Sequence, residues 1–198
     1  MALPLTDEQV LDVRERIRRV AEGQIAREGI SAISLRSIAG ELGWTAASLY
    51  RYFASKQELL SAMRIAAHNR FADRIEAAHD STANLWDRSR AIGDAYLDFA
   101  ETQPAAYQLM FAYDQEDKKD PPELQRARKR SSLTLTTYVV EMVDAGLLQG
   151  DPVVLAHAFW ASLHGLVVLR MAGQLDHSPP FDLLRRETMR LITRGARA

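Results

Sequence analysis

No cysteine occurs in the 198 residues, which excludes disulfides and thiolate metal sites and suits a reducing cytosol. An excess of one charge is missing too. The net charge is −1, so nothing draws the whole chain toward nucleic acid, and any such partner must be met by a local surface. The most apolar run, HAFWASLHGLVVL at 157–169, is shorter than the roughly 20 residues of a bilayer span and carries two histidines. The opening MALPLTDEQV bears acids where a signal peptide bears Lys or Arg. These absences lead to the expectation of a cytoplasmic protein with no membrane partner.

Enzyme signatures are equally scarce. Strand-like alternation is lacking, and so is a Gly-rich nucleotide loop. Tyr52 and Lys56 match the Tyr-x-x-x-Lys of short-chain dehydrogenases, but that motif needs a βαβ unit to hold its nucleotide. Neither Gly-x-Ser-x-Gly nor a Walker sequence is present. Five scattered histidines form no ligand cluster. The expectation is no enzyme, no metal and no cofactor.

What is there is helix, nearly throughout. The 47% hydrophobic content is enough for a real core. Thr6 and Gln9 fit a capping box opening a helix over 7–28, with Val10, Val13, Ile17, Val20, Ala21 and Ile25 on one stripe. Gly29 can close it in the left-handed conformation. Ser34 caps a second helix, Thr45 a third, and Ser55 with Glu58 a long fourth through Leu60, Met63, Ala67, Phe71 and Ile75. Further on, Leu85, Ile92, Tyr96 and Phe99 share a face, and Pro104 restarts a short helix. DQEDKKDPP at 114–122 reads as a charged loop before a helix stopped by Gly146. Asp151-Pro152 opens the next helix, which Gly173 can close, and Ser178-Pro179 opens the last. The fold class is all-α, about nine helices, with no repeat or low-complexity segment.

The stretch from Ser34 to Leu60, SLRSIAGELGWTAASLYRYFASKQELL, sets two short helices around a glycine. That is the geometry of a helix-turn-helix, whose second helix enters the major groove. Gly43 permits the turn, and Leu42, Trp44 and Leu49 clamp the helices together. Small residues at Ala46, Ala47 and Ser48 allow close approach to base edges, and the helix start favours a phosphate. Tyr50, Arg51, Tyr52 and Lys56 offer hydroxyls and charges to the DNA backbone. Periodicity alone leaves a second reading open, a helical hairpin that only packs.

The positions Ile38-Ala39, Leu42-Gly43, Thr45, Ser48-Leu49-Tyr50, Tyr52-Phe53, Lys56 and Leu59 resemble the helix-turn-helix of the TetR family of bacterial transcriptional regulators. The resemblance covers about the first third of the chain; the rest agrees in size and helix count. It implies a DNA-binding domain over 1–55 and a ligand-binding and dimerisation domain over 56–198, with the helix at 56–78 connecting them. It further implies a homodimer on a palindromic double-stranded operator, a repressor released by a small-molecule effector. The DNA-contacting residues are then Ser34, Arg36, Thr45, Ala46, Ala47, Ser48, Tyr50, Arg51, Tyr52 and Lys56, with Arg36 placed to read a base. Ala47 stands where many members have Gly. Residues 1–60 hold eight basic against eight acidic residues and no basic N-terminal arm, so the positive surface has to be local.

The second half resembles a subclass of TetR sensor domains carrying Trp-x-x-x-His-Gly, here Trp160 to Gly165, together with the segment from Phe99 to Phe111. His157, Trp160, His164 and Val168 fall on one helical stripe, and Gly165 can permit close helix approach. Tyr96, Phe99, Tyr107, Met110, Phe111, Tyr138, Met142, Trp160 and His164 are the candidate lining of a pocket for an apolar or aromatic ligand with one or two hydrogen-bonding groups. The helix after Pro152 carries two apolar stripes, Leu155, Phe159, Leu163 and Leu166 on one and Trp160, Val168 and Met171 on the other. One should pack in the core and the other meet a partner. The first, with Leu184, Leu191 and Ile192, is the candidate dimer face. The competing reading is an all-helical small-molecule carrier or adaptor that binds no DNA.

Overall fold

The computed structural model describes residues 6–111 and 120–197, which form nine α-helices and no strand. They are α1 Asp7–Glu28, α2 Leu35–Glu41, α3 Ala46–Tyr50, α4 Lys56–Asp80, α5 Leu85–Thr102, α6 Pro104–Phe111, α7 Pro122–Asp144, α8 Pro152–Met171 and α9 Phe181–Ala196. The all-α reading holds. Positions 114–119 of the charged stretch lie outside the described residues.

The helix starts follow the expected chemistry. Thr6 and Gln9 exchange the two bonds of a capping box. Ser34 Oγ accepts from the Ser37 amide, and Asp151 accepts from the Val153 and Val154 amides ahead of Pro152. Two ends differ from expectation. Gly29 has φ +83° but an extended ψ of 166°, so the chain leaves α1 straight instead of curling into the left-handed helical basin. The last helix starts at Phe181, and its cap position is Pro180, whose side chain has no acceptor to offer. Ser178, two residues earlier, donates its Oγ–H to the Leu175 and Pro179 carbonyls instead. In addition, α8 reaches 20 residues and is apolar and long enough, by length and composition alone, to cross a membrane. The shorter run seen in the sequence understates it.

Packing divides the chain into two units. The first comprises the described residues of Met1–His68 and Gln103–Ala127. Its core joins Ile17, Ala21 and Ile25 of α1 to Ile38 of α2, Leu49 of α3 and Leu59 and Met63 of α4, with Ala105 and Leu109 of α6. The expected boundary at residue 55 omitted α6, because a helix distant in sequence but apolar on one face supplies the surface that α1 needs. The second unit comprises the described residues of Asn69–Thr102 and Arg128–Ala198. Phe71 lies edge-on to Tyr96 and Phe99 at its centre, with ring centroids 5.6 and 5.3 Å away.

Candidate functional site

In the first unit, α2 and α3 are held at a sharp turn in which Gly43 has φ +71°, a conformation that costs a side-chain-bearing residue energy. The Trp44 amide donates to the Ala39 carbonyl at 2.8 Å. Thr45 Oγ accepts from the Ser48 amide and starts α3. Leu49 faces inward and is fully buried. The opposite side of this segment carries the candidate DNA contacts. Ser34, Arg36, Thr45, Ala47, Tyr50 and Arg51 are exposed, and Ala46, Ser48, Tyr52 and Lys56 are half-buried. Tyr52 leans on Trp44, centroids 6.1 Å apart, and Lys56 Nζ reaches the Ser31 carbonyl at 3.4 Å.

The balanced charge of the N-terminal sixty residues resolves locally. Glu41 accepts from Gln24 and Arg27, each at 2.8 Å, and those bonds hold its carboxyl below the ordinary carboxylate value. Glu58 is taken by Arg14 and by the Ala54 amide. Glu15 pairs with Arg18 and Arg19. Arg36 and Arg51 are left without an ion pair among the described residues. The surface around α3 is therefore locally positive although the composition is neutral.

Two positioning residues escaped the sequence reading. Arg14 donates to the Tyr52 carbonyl at 2.7 Å and stacks 4.2 Å over Phe53, tying α1 to the end of α3. Gln24 is buried and accepts from Ser37 Oγ at 2.9 Å while donating to Glu41, fixing α2 on α1. By pattern, both are ordinary members of an amphipathic helix. The usable signal was a polar Gln on the stripe between Ala21 and Ile25.

The candidate ligand residues are divided between the two units. Tyr107, Met110 and Phe111 belong to the first unit, where the Tyr107 and Phe111 rings meet tilted by 60° with centroids 4.9 Å apart. In the second unit, Tyr96, Tyr138 and Trp160 help line a cavity of about 30 Å³, room for water but far below the roughly 300–1,000 Å³ of small-molecule sites. Phe99 and Met142 are buried away from that cavity's lining. Tyr96 Oη and His164 Nδ1 lie 3.3 Å apart, while His157 is exposed and bonds the Val153 carbonyl. Burial pushes the Tyr138 phenol well above its ordinary value, against a hydrogen bond with Ser89 that lowers it.

Burial lowers the His164 pKa. The fold thus favours the neutral ring, and the unfolded chain binds the proton more readily. The stability of the second unit should be full above the ordinary imidazole value, about 6.5, and fall as the pH drops through it toward the folded-state value. Melting temperatures of the protein and of His164→Asn between about pH 7.5 and about pH 5.5 check this. The variant should lose less on acidification, and an identical pH slope in both would show that His164 is not responsible.

The candidate dimer residues also separate. Phe159, Leu163 and Leu166 are buried inside the second unit. Their burial leaves no open face there, a correction to the sequence reading. Leu155, Leu184 and Ile192 are half-buried, and Leu191 is 63% exposed. The open side of α8 is a different stripe, the exposed Val154, Ala158, Ala161 and Val168 with the half-buried Gly165. A Cβ at Gly165 would meet nothing within 4 Å, so no neighbour within the chain requires this glycine.

Known proteins supply the rest. Residues 17–63 match the model of bacterial regulatory proteins of the tetR family, and residues 89–192, more than half of the chain, match the tetracyclin repressor-like C-terminal domain. The chain belongs to the TetR family. It is 32% identical over 149 residues to the HTH-type transcriptional regulator Rv1816 of Mycobacterium tuberculosis, a stretch covering 71% of this chain and 61% of that protein. A Rhodococcus sp. RHA1 protein of unknown function shares the fold at TM-score 0.83 and 25% identity, covering 94% of this TetR-family chain and 96% of its own. The TetR family regulator PfmR from Thermus thermophilus has the same fold at TM-score 0.70 and 21% identity, with 90% and 97% covered.

Proposed function

We propose that this TetR-family chain is a DNA-binding transcriptional regulator of the cytoplasm, a repressor that occupies a palindromic operator as a homodimer and leaves it when a small molecule binds. The observation that carries this reading is the α2–α3 surface. Its neighbouring acids Glu58 and Glu41 are paired with Arg14 and Arg27, and Gln24 adds a hydrogen bond to Glu41. Arg36 and Arg51 have no ion pair among the described residues, and Ala47 is exposed. Arg36 can fork onto guanine O6 and N7, and the alanines offer methyl contacts to thymine. Ser34, Thr45, Ser48, Tyr50, Tyr52 and Lys56 serve the phosphates on either side.

Fluorescence anisotropy on an operator selected from random duplexes tests it. Arg36→Ala should cost about 1–3 kcal/mol and relax specificity at one position per half-site. Lys56→Ala should weaken all sequences alike and flatten the salt dependence. Uniform losses from both variants would remove Arg36 from base reading. The absence of any duplex binding would favour a carrier or adaptor.

The stripe Val154, Ala158, Ala161, Gly165 and Val168 of α8 and Leu191 of α9 form the proposed dimer face. Two-fold pairing there would set the recognition helices about 34–36 Å apart, one turn of DNA. We read the sensor half as the Trp-x-x-x-His-Gly type, with Trp160 and His164, whose rings lie 5.5 Å apart, beside the effector region. An apolar or aromatic effector among Tyr96, Tyr138 and Trp160 has to widen their present small cavity. Ligand release then follows if the widened form no longer presents the half-site spacing.

A further inference from the structure

The second unit contains a much larger opening than the one between Tyr96 and Trp160. A cleft of about 720 Å³ is lined by α5 and α9, with Leu163 of α8, and lies within the roughly 300–1,000 Å³ typical of small-molecule sites. Its charge is one-sided, six arginines against Asp94 and Asp182. Arg185 is already bound to Asp94, Arg90 pairs with Asp87, and Arg190 pairs with Glu187. Arg197 lies 4.9 Å over the Trp86 ring. Arg186 and Arg194 have no ion-pair partner among the described residues.

Arg186, Arg190 and Arg194 recur at i, i+4 and i+8, so they line one side of α9 over about 12 Å. On a convex helix face such charges are separated by water. In a concave cleft with low-dielectric walls their field is focused, and their mutual repulsion is relieved by an anion. The cleft also has an apolar part, built from Trp86, Leu163 and Met189. A bare phosphate would use only the arginines and leave those side chains idle.

We infer that this cleft binds an aromatic organic acid, with its carboxylate on Arg186 and Arg194 and its ring against Trp86 and Met189. Charge-assisted bonds to guanidinium groups supply the head-group affinity, and ring stacking on Trp86 supplies the rest. The inference rests on the reading of the chain as an effector-responsive regulator only for its consequence, operator release. Binding itself is independent of DNA.

Isothermal titration of the full chain with 2-naphthaleneacetate, 2-naphthaleneacetamide and inorganic phosphate tests it. The acid should bind saturably, and the isosteric amide should bind about tenfold or more weaker, since it lacks the charge. The double variant Arg186→Gln, Arg194→Gln should lose about tenfold or more for the acid while keeping its melting temperature, and Trp86→Ala should weaken the acid but not phosphate. Equal binding of acid and amide, an unchanged double variant, or no heat from the acid at millimolar concentration would each overturn the assignment. Phosphate binding as tightly as the acid would also overturn it, in favour of a simple anion site. Operator anisotropy with and without the acid separates the two readings. Operator binding without acid binding refutes the cleft alone, and acid binding without operator binding refutes the regulator alone.

Discussion

Leu49→Ala should destabilise the first unit by about 2–5 kcal/mol and abolish operator binding at concentrations that saturate the unaltered protein. Leu49 is fully buried at the junction of α2, α3 and α1, in one core with Ile17, Ile38 and Phe53. The lost methyl groups forfeit their transfer energy and leave a cavity that the short α3 cannot close by shifting, because the Thr45 cap and the Gly43 turn hold its start. A five-residue helix has almost no stability of its own. It exists because Leu49 docks it, so the recognition surface should melt with the core. Thermal denaturation followed by far-UV circular dichroism checks the stability, and anisotropy checks the DNA. Leu11→Ala is the matched control, since Leu11 is 65% exposed and should change stability by less than about 0.5 kcal/mol. A Leu49→Ala protein that melts with the unaltered one and binds DNA normally would refute the account of α3.

Ala161→Arg should convert the protein to a monomer at micromolar concentration and weaken operator binding by about two orders of magnitude or more, while leaving the subunit folded. Ala161 lies at the middle of the open stripe on α8 and is solvent-exposed, so the larger side chain meets no obstacle within the chain. In an isologous pairing each substitution appears twice near the axis. Two guanidinium groups would then be brought together in an apolar, desolvated contact. Light scattering reads the mass, and anisotropy reads the loss of the second half-site. A dimer that survives Ala161→Arg unchanged would move the interface elsewhere. The apolar character of α8 also bears on membranes, since only 28% of its most apolar stretch is buried. Retention of the chain in carbonate-washed membranes would assign that surface to lipid and remove the dimer.

The two outcomes on α8 show how far periodicity can be trusted. Its apolar residues occur on nearly every side, so counting them cannot say which stripe faces inward. The bulkier stripe, with Phe159, Leu163 and Leu166, fits a dimer face by pattern and is core in the structure. The open stripe is lined by alanines and a glycine. Large side chains fill volume best between α5, α8 and α9, whereas small ones suit close approach of another helix. The aromatic and Met residues show the same limit. Each sits on an apolar face, yet packing sends Tyr107 and Met110 to one unit and Tyr138 and Met142 to the other.

By itself, the sequence determined the helical class, the positions of most caps and the α2–α3 motif. These are local: Thr6 with Gln9, Thr45 with Ser48, and Asp151 with Pro152 act over three or four residues, and Gly43 encodes its own turn. Only the tertiary structure decided that α6 completes the first core, that Arg27 and Arg14 pair with the acids Glu41 and Glu58, and which stripe of α8 is open. The tertiary structure alone also brought the arginines of α9 to face Trp86 across a cleft. Each of these depends on side chains that are distant in the chain meeting in space, and a one-dimensional pattern carries no record of which of several compatible surfaces will be paired.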